Sequence, residues 1–232
     1  SARSSVLQQL GRHAEAVACL DQLLATRPQS PMSWCNRGNS LLELNRRTEA
    51  IASYDSAIAL KPDYAEAWHN RAVAKLMLQD HSGASDDLER ALAIKPDYPE
   101  ALEHSGVALA AMGRAEEAVT KYDAALRLLP ERTELLCRRG DTLLQLGRFE
   151  AALADYDRAV AGALENSSAW LNRGNALLAL GRREDALASY DRALAIRCDD
   201  AQAWKSRGLA LILLQRHEQA LAAFDSALAL AP

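Results

Sequence analysis

The chain has 232 residues, of which 49% are hydrophobic but only 5% are aromatic, with 11 glycines and 7 prolines. This composition favours a helix-rich protein, and the length suits one or two compact domains or one elongated array. The net charge of −4 argues against a nucleic-acid partner, and charged residues interrupt every apolar stretch before the roughly 18 residues that a membrane span requires.

A period of 34 residues organises almost the whole chain. The segments NRGNSLLELNRRTEAIASYDSAIAL (36–60) and NRGNALLALGRREDALASYDRALAI (172–196) agree at most positions and start 136 residues apart, which is four times 34. Within one period, apolar residues recur at helical spacing in two runs that are separated by a turn such as LGR. Each period therefore predicts a pair of antiparallel helices, and one pair cannot bury its apolar face without a stacked neighbour.

In chain order, the predicted elements are one degenerate repeat and six regular repeats. Residues 1–30 form the degenerate repeat, in which Leu20 and Leu23 replace the usual aromatic residue and alanine. The regular repeats are 31–64, 65–98, 99–132, 133–166, 167–200 and 201–232. The last repeat has no polar capping helix, so we expect its second helix to expose Leu221, Phe224 and Leu228.

Several places, numbered from the first residue of each regular repeat, indicate how the helices pack. The eighth, twentieth and twenty-seventh places hold glycine or alanine in all six regular repeats, and the twenty-fourth place holds an aromatic ring in five of them. Small residues let two helices approach closely while the ring fills the space beside them. The fourth place holds Trp34, Trp68, Trp170 and Trp204. We predict that these tryptophans are core residues.

This pattern resembles the tetratricopeptide repeat, whose 34-residue period and W…LG…Y…A…F…A…P signature match residues 31–232. The resemblance implies an all-α fold, an α-solenoid of tandem helix-turn-helix repeats that forms a right-handed superhelix with the first helices lining a concave channel. The sequence looks like a bacterial-type array. The nearest comparison is the N-terminal repeat region of O-GlcNAc-transferase-like proteins.

A basic place and an acidic place also recur. The seventh place is arginine in five regular repeats and Ser105 in the other, and the twenty-fifth is acidic in all six. The arginines are Arg37, Arg71, Arg139, Arg173 and Arg207, and the acids are Asp55, Glu89, Asp123, Asp157, Asp191 and Asp225. A catalytic carboxylate is not needed six times. The recurrence therefore predicts a structural ion pair within one repeat or between adjacent repeats.

Candidate ligand contacts are polar residues at the second, fifth, sixth, ninth, twelfth and thirteenth places of each repeat, which are the main ligand-contacting places in the family. They are Asn36, Asn39, Glu66, His69, Asn70, Glu100, Glu103, His104, Glu134, Arg138, Asp141, Asn172, Asn175 and Lys205. An asparagine amide both donates and accepts, which suits the backbone of an extended peptide. The acidic residues predict basic or polar side chains near the centre of that peptide. The alternative is that these residues are merely solvated on an open helix face.

Two comparisons within the family limit this prediction. Asn36, Asn70 and Asn172 resemble the asparagine ladder of the O-linked N-acetylglucosamine transferase repeats, although His104 and Arg138 interrupt it. The carboxylate clamp of chaperone-binding members needs lysines and an arginine. Cys35, Glu100 and His104 occupy those places here, so binding of a peptide C-terminus is not expected.

These observations predict a non-enzymatic scaffold that binds an extended peptide or a partner protein. One alternative is a targeting or substrate-recognition segment of a larger enzyme, such as a bacterial O-GlcNAc-transferase-like glycosyltransferase. Another is self-association through exposed terminal helices. We find no nucleophile–base pair and no glycine-rich phosphate loop, and we expect no cofactor, metal, nucleic-acid or membrane partner. The cysteines lack metal-ligand spacing, so we expect them to be reduced thiols. No signal peptide is visible, and we therefore expect a cytoplasmic protein.

Overall fold

The computed structural model describes residues 2–230, which form an all-α solenoid of helical repeats with no strand. The helices in this range are α1 (Ala2–Gln9), α2 (His13–Thr26), α3 (Pro31–Glu43), α4 (Arg47–Leu60), α5 (Ala65–Met77), α6 (His81–Ile94), α7 (Pro99–Ala111), α8 (Ala115–Leu128), α9 (Thr133–Gln145), α10 (Phe149–Gly162), α11 (Ser167–Ala179), α12 (Arg183–Ile196), α13 (Ala201–Leu213) and α14 (His217–Leu230). None of them is both long enough and apolar enough to span a membrane.

The chain divides into two compact units, Ser1–Arg114 (unit 1) and Ala115–Pro232 (unit 2). In unit 1 the first helices of successive repeats, α3, α5 and α7, contact one another in order, and in unit 2 the same holds for α9, α11 and α13. We call the surface of these helices the first-helix face of each unit. The division into 34-residue repeats remains our proposal, and the starts of the odd-numbered helices from α3 onwards agree with it.

The turn inside each repeat depends on one residue with left-handed backbone. Gly147 and Gly181 have φ values of 71° and 75°, as expected for glycines that end a helix. Asn45 adopts the same conformation at φ 60°, and so do Gln79 and Gln215 at 62° and 60°. A glutamine is strained in this region of backbone space, so the turn geometry is imposed by the packing of the two helices it joins.

The small residue at the eighth place lets the second helix press a ring against the backbone of the first. A Cβ atom added to Gly38 would lie 2.5 Å from the Tyr54 ring, and one added to Gly140 would lie 2.8 Å from the Tyr156 ring. Both tyrosines are fully buried. The alanines at the twentieth and twenty-seventh places are buried too, apart from the last repeat's Ala227, which is half-buried. The predicted helix–helix contact is therefore confirmed in these repeats.

The tryptophans at the fourth place are half-buried, so their prediction as core residues was wrong in degree. Each indole Nε1 donates to a carbonyl six residues earlier, as from Trp34 to Pro28 at 2.8 Å and from Trp170 to Leu164 at 3.0 Å. A guanidinium also lies over the ring, with Arg71 Cζ 4.7 Å from the Trp68 centroid. The indole needs a partner for its N–H group, and this keeps the ring at the edge of the core.

The predicted ion pair is confirmed, and it joins consecutive repeats. Each seventh-place arginine reaches an aspartate 16 residues earlier, at the twenty-fifth place of the preceding repeat. The pairs are Arg37–Asp21 and Arg173–Asp157 at 2.6 Å, Arg71–Asp55 at 2.5 Å, Arg207–Asp191 at 2.7 Å, and Arg139–Asp123. Asp21, Asp55, Asp157 and Asp191 are exposed and Asp123 is half-buried, so the pairs alone contribute little to stability.

A second partner of the same arginines was not foreseen. Arg71 donates to both oxygens of Asp87, 16 residues later, at 2.6 and 2.8 Å, and Arg139 binds the two oxygens of Asp155 in the same way. At Arg37 and Arg173 this twenty-third place is serine, and the guanidinium donates to the Oγ of Ser53 or Ser189 at 2.7 Å. Each of these arginines thus binds one side chain of the preceding repeat and one of its own repeat, an arrangement that we call the arginine clamp. The second partner is buried where it is Asp87 or Asp155.

Candidate functional site

In unit 1 the predicted asparagine contacts are hydrogen-bonded to one another. Asn39 Oδ1 accepts a hydrogen bond from the Tyr54 hydroxyl at 2.8 Å and another from Asn70 Nδ2 at 2.9 Å. Asn70 Nδ2 also lies 3.8 Å from Cys35 Sγ. These side chains join α3, α4 and α5. Much of the hydrogen-bonding capacity predicted for a ligand is therefore used inside the protein.

Two predicted histidine contacts form a close pair next to these asparagines. His69 is buried, with Nδ1 3.0 Å from Asn70 Oδ1 and 3.3 Å from the Tyr98 hydroxyl, and Nε2 3.0 Å from His104 Nδ1. Desolvation, together with the neighbouring imidazole, lowers the pKa of His69 to about 4. The ring is thus neutral at pH 7 and does not offset the negative charge around it.

That negative charge comes from glutamates of the first-helix face of unit 1. Glu66 is exposed and Glu100 is half-buried, and within residues 2–230 neither makes a hydrogen bond or an ion pair. Both act electrostatically on His69 and on Tyr98, whose pKa is raised to about 12 by burial and then by these carboxylates. Glu103, in contrast, is buried. The ligand-contacting places of α3, α5 and α7 hold no lysine or arginine, so this face is acidic.

Unit 2 holds a related arrangement around Asp141. Its Oδ1 accepts hydrogen bonds from the Tyr156 hydroxyl at 2.6 Å and from Asn172 Nδ2 at 2.8 Å. Burial raises the pKa of Tyr156, so the hydroxyl stays protonated and is the donor. Asn172 Oδ1 in turn accepts from Asn175 Nδ2 at 3.3 Å, and Asn175 Oδ1 accepts from the Tyr190 hydroxyl at 3.0 Å.

The two arrangements follow one rule, which we call the ninth-place frame. The oxygen of the ninth-place side chain, Asn39 or Asp141, accepts from the tyrosine hydroxyl of its own repeat and from the sixth-place asparagine of the next repeat. The sequence carries a signal of this rule, since the ninth place is apolar where the twenty-fourth place has no hydroxyl. The two cases are Val73 with Leu88 and Leu209 with Phe224, and Val107 with Tyr122 is an exception.

The remaining predicted contacts are not members of the frames. The Asn36 side chain is half-buried and makes no hydrogen bond within residues 2–230. Glu134 is exposed, with Oε2 3.9 Å from Arg132 Nε, and Arg138 is exposed as well. Lys205 is also exposed and lines a cavity of about 520 Å³ beside Phe224 and Leu228. Hence the first-helix face of unit 2 carries charges of both signs.

No group of three or more histidine, cysteine, aspartate or glutamate side chains in the described part of the chain could hold a metal ion. His69 and His104 approach each other, but their nitrogens bond to each other and to neighbouring side chains. The available chemistry of both faces is therefore hydrogen bonding and charge.

Models of the tetratricopeptide repeat match residues 69–133, 137–200 and 173–232, and a further one matches residues 2–30. A TPR repeat model matches residues 38–79. No curated protein is significantly similar to the chain in sequence.

Solved structures with the same architecture include three of low sequence identity, so the likeness concerns the fold alone. YrrB, described as a TPR protein with an unusual peptide-binding site, is 22% identical with a TM-score of 0.71, covering 79% of this chain and 95% of its own. A tetratricopeptide repeat protein from Parabacteroides merdae is 18% identical, with a TM-score of 0.72 and 99% and 91% coverage. MamA from Desulfovibrio magneticus is 23% identical, with a TM-score of 0.69 and 72% and 94% coverage.

Proposed function

Since the chain belongs to the tetratricopeptide repeat family, we propose that it is a non-enzymatic scaffold that holds an extended peptide or a segment of a partner protein on the first-helix faces of its units. One observation carries the proposal. Polar groups without a partner in the described chain, such as the Asn36 side chain and the carboxylates of Glu66 and Glu100, lie on the first helices. The seventh-place arginines, in contrast, are paired with aspartates of the preceding repeat.

The charge of unit 1 defines the chemistry of the proposed partner. Glu66 and Glu100 face no lysine or arginine at the ligand-contacting places, and the neutral His69 does not compensate them. Charge complementarity across an interface favours partners of the opposite sign. The proposed ligand is therefore an extended peptide with basic or polar side chains where it crosses unit 1.

We expect the double variant Glu66→Gln/Glu100→Gln to bind a lysine-bearing extended peptide about three- to tenfold more weakly than the wild type, because exposed charge pairs contribute modestly. Fluorescence anisotropy with a labelled glycine–serine peptide that carries several lysines measures this. The matched control is Asp86→Asn/Glu89→Gln, which removes the same charge from exposed positions on α6. Equal weakening by both double variants, or equal wild-type affinity for a glutamate-bearing peptide, would contradict the proposed role of the face.

The same face would serve a recognition segment of a larger enzyme, including a bacterial O-GlcNAc-transferase-like glycosyltransferase. That alternative predicts the same preference for a basic peptide as the scaffold proposal. A bacterial origin and a cytoplasmic location likewise remain proposals drawn from the sequence pattern.

Self-association is a second candidate, favoured by the surface of α14. Leu221 and Leu228 are 64% and 63% exposed, whereas Leu187 and Leu194, at the same places one repeat earlier, are 7% and 6% exposed. Phe224 is half-buried rather than exposed as expected. The earlier pair is covered by the repeat that follows, so this face of α14 suits a helix of a second copy.

If this face mediates self-association, the wild type will sediment faster than a monomer and Leu228→Glu will restore the monomer. A charge in place of a leucine cannot be buried in an apolar interface without a large desolvation cost. Analytical ultracentrifugation over a range of concentrations measures this. Leu164→Glu is the control, since Leu164 is 63% exposed but lies outside α14. A wild type that stays monomeric at every concentration would exclude this candidate.

A further inference from the structure

The ninth-place frame leaves one atom of each side chain unused. Both donors to Asn39 bind its Oδ1, and both donors to Asp141 likewise bind Oδ1. Within residues 2–230, no hydrogen bond involves Asn39 Nδ2 or Asp141 Oδ2. The frame is the same in both units, but the atom it leaves over is a neutral donor in unit 1 and a carboxylate acceptor in unit 2.

The two donors also fix the direction of the unused atom. Amide and carboxylate groups are planar, so holding Oδ1 between a tyrosine hydroxyl and an asparagine amide sets the plane of the group. The second atom then points away from both donors. Tyr54 and Tyr156 are fully buried and cannot turn aside, which keeps each frame rigid. A rigid, pre-oriented polar atom loses little conformational entropy when it binds a partner.

The surroundings of Asp141 favour a cationic partner. Desolvation of the carboxylate raises its pKa above the usual range, although the Tyr156 and Asn172 hydrogen bonds and the positive charge of Arg138 act in the opposite direction. Asp141 is nevertheless exposed at the surface, so its carboxylate is accessible to a cation. Arg138 lies on the same helix and already balances part of the charge, so the gain from a bound cation is modest.

We propose that Asp141 is a specificity-determining contact, whose Oδ2 accepts a lysine or arginine side chain of the bound peptide. Asn39, in the equivalent frame, donates from Nδ2 to a carbonyl oxygen and makes no distinction of charge. The inference rests on the proposed function and deepens it, because it assigns the reading of charge in unit 2 to one oriented atom.

The test exchanges the two side chains between the frames. Asp141→Asn gives unit 2 the side chain of unit 1, and Asn39→Asp does the reverse. An oxygen remains at each ninth place to accept both donors, so each variant keeps its frame. Fluorescence anisotropy would compare two labelled glycine–serine peptides that differ only in carrying lysines or glutamines. Each would be titrated against the wild type, the two single variants and Glu66→Gln/Glu100→Gln.

We expect Asp141→Asn to weaken binding of the lysine peptide about fivefold and to leave the glutamine peptide unchanged. Asn39→Asp should strengthen binding of the lysine peptide, because it places an oriented carboxylate on the first-helix face of unit 1. The inference is overturned if Asp141→Asn affects both peptides equally, or neither, while Glu66→Gln/Glu100→Gln still weakens lysine-peptide binding. In that case the scaffold function stands. If the wild type binds neither peptide, the proposed function falls together with the inference.

Discussion

Replacing Asp87 with alanine is expected to lower the free energy of unfolding by about 2–4 kcal/mol, because breaking a buried ion pair leaves uncompensated charge behind. Asp87 is buried and binds two cations, Arg71 through both oxygens and Lys75 Nζ at 2.8 Å. Arg71 keeps its exposed partner Asp55 in the variant, and this limits the loss. Urea unfolding followed by circular dichroism measures the change.

The chain supplies a matched control at the same place of another repeat. Ser189 occupies the position of Asp87 in the clamp of Arg173, where its Oγ accepts a hydrogen bond from the guanidinium at 2.7 Å. Ser189→Ala removes a hydrogen bond but no charge, so we expect a loss of only about 1 kcal/mol. A third variant, Asp87→Ser, gives Arg71 the serine partner found in the other clamps and should fall between the two. Equal losses for Asp87→Ala and Ser189→Ala would show that the buried carboxylate is not the main element of the clamp.

The fold could be predicted from sequence because each packing contact is repeated. One glycine beside one ring is weak information, but the same small residue and ring recur at Gly38 and Tyr54, Gly140 and Tyr156, and in further repeats. The helix bounds follow from the same spacing. The seventh-place arginines and twenty-fifth-place acids were predicted for the same reason, although the sequence left open whether the pair lies within a repeat or across a boundary.

The site was harder to predict because it depends on which partner each polar group finds in space. Asn39 and Asn70 stand at ligand-contacting places, yet they bond to each other across 31 residues of sequence. His69 and Glu103 occupy such places too and are buried. The buried partner Asp87 was missed because its place varies among aspartate, serine, lysine and alanine. Periodicity reports what all repeats share, whereas a binding face is built from what differs among them.

Gly174→Ala is expected to lower the free energy of unfolding by about 1–3 kcal/mol, although alanine is the better helix former by about 1 kcal/mol. An added Cβ would overlap the Tyr190 ring, which is fully buried against Ala186 and Ala193 and cannot move aside. Thermal and urea unfolding measure the loss. A Gly174→Ala variant as stable as the wild type would contradict the assigned contact between ring and backbone.

A compensating second substitution for this variant is suggested by another repeat of the same chain. Residues 65–98 carry Ala72 at the eighth place and Leu88 at the twenty-fourth, and both are fully buried. Leucine is narrower than a tyrosine ring and leaves room for the alanine methyl group, so Gly174→Ala/Tyr190→Leu should recover at least half of the stability lost by the single variant. Tyr190→Leu alone should be destabilised, because it opens a cavity beside Gly174 and removes the hydroxyl that donates a hydrogen bond to Asn175 Oδ1. The contradicting result is a double variant whose loss in free energy of unfolding equals or exceeds the sum of the losses of the two single variants. The eighth and twenty-fourth places would then not compensate each other, and Ala72 and Leu88 would fit together for reasons specific to their own repeat.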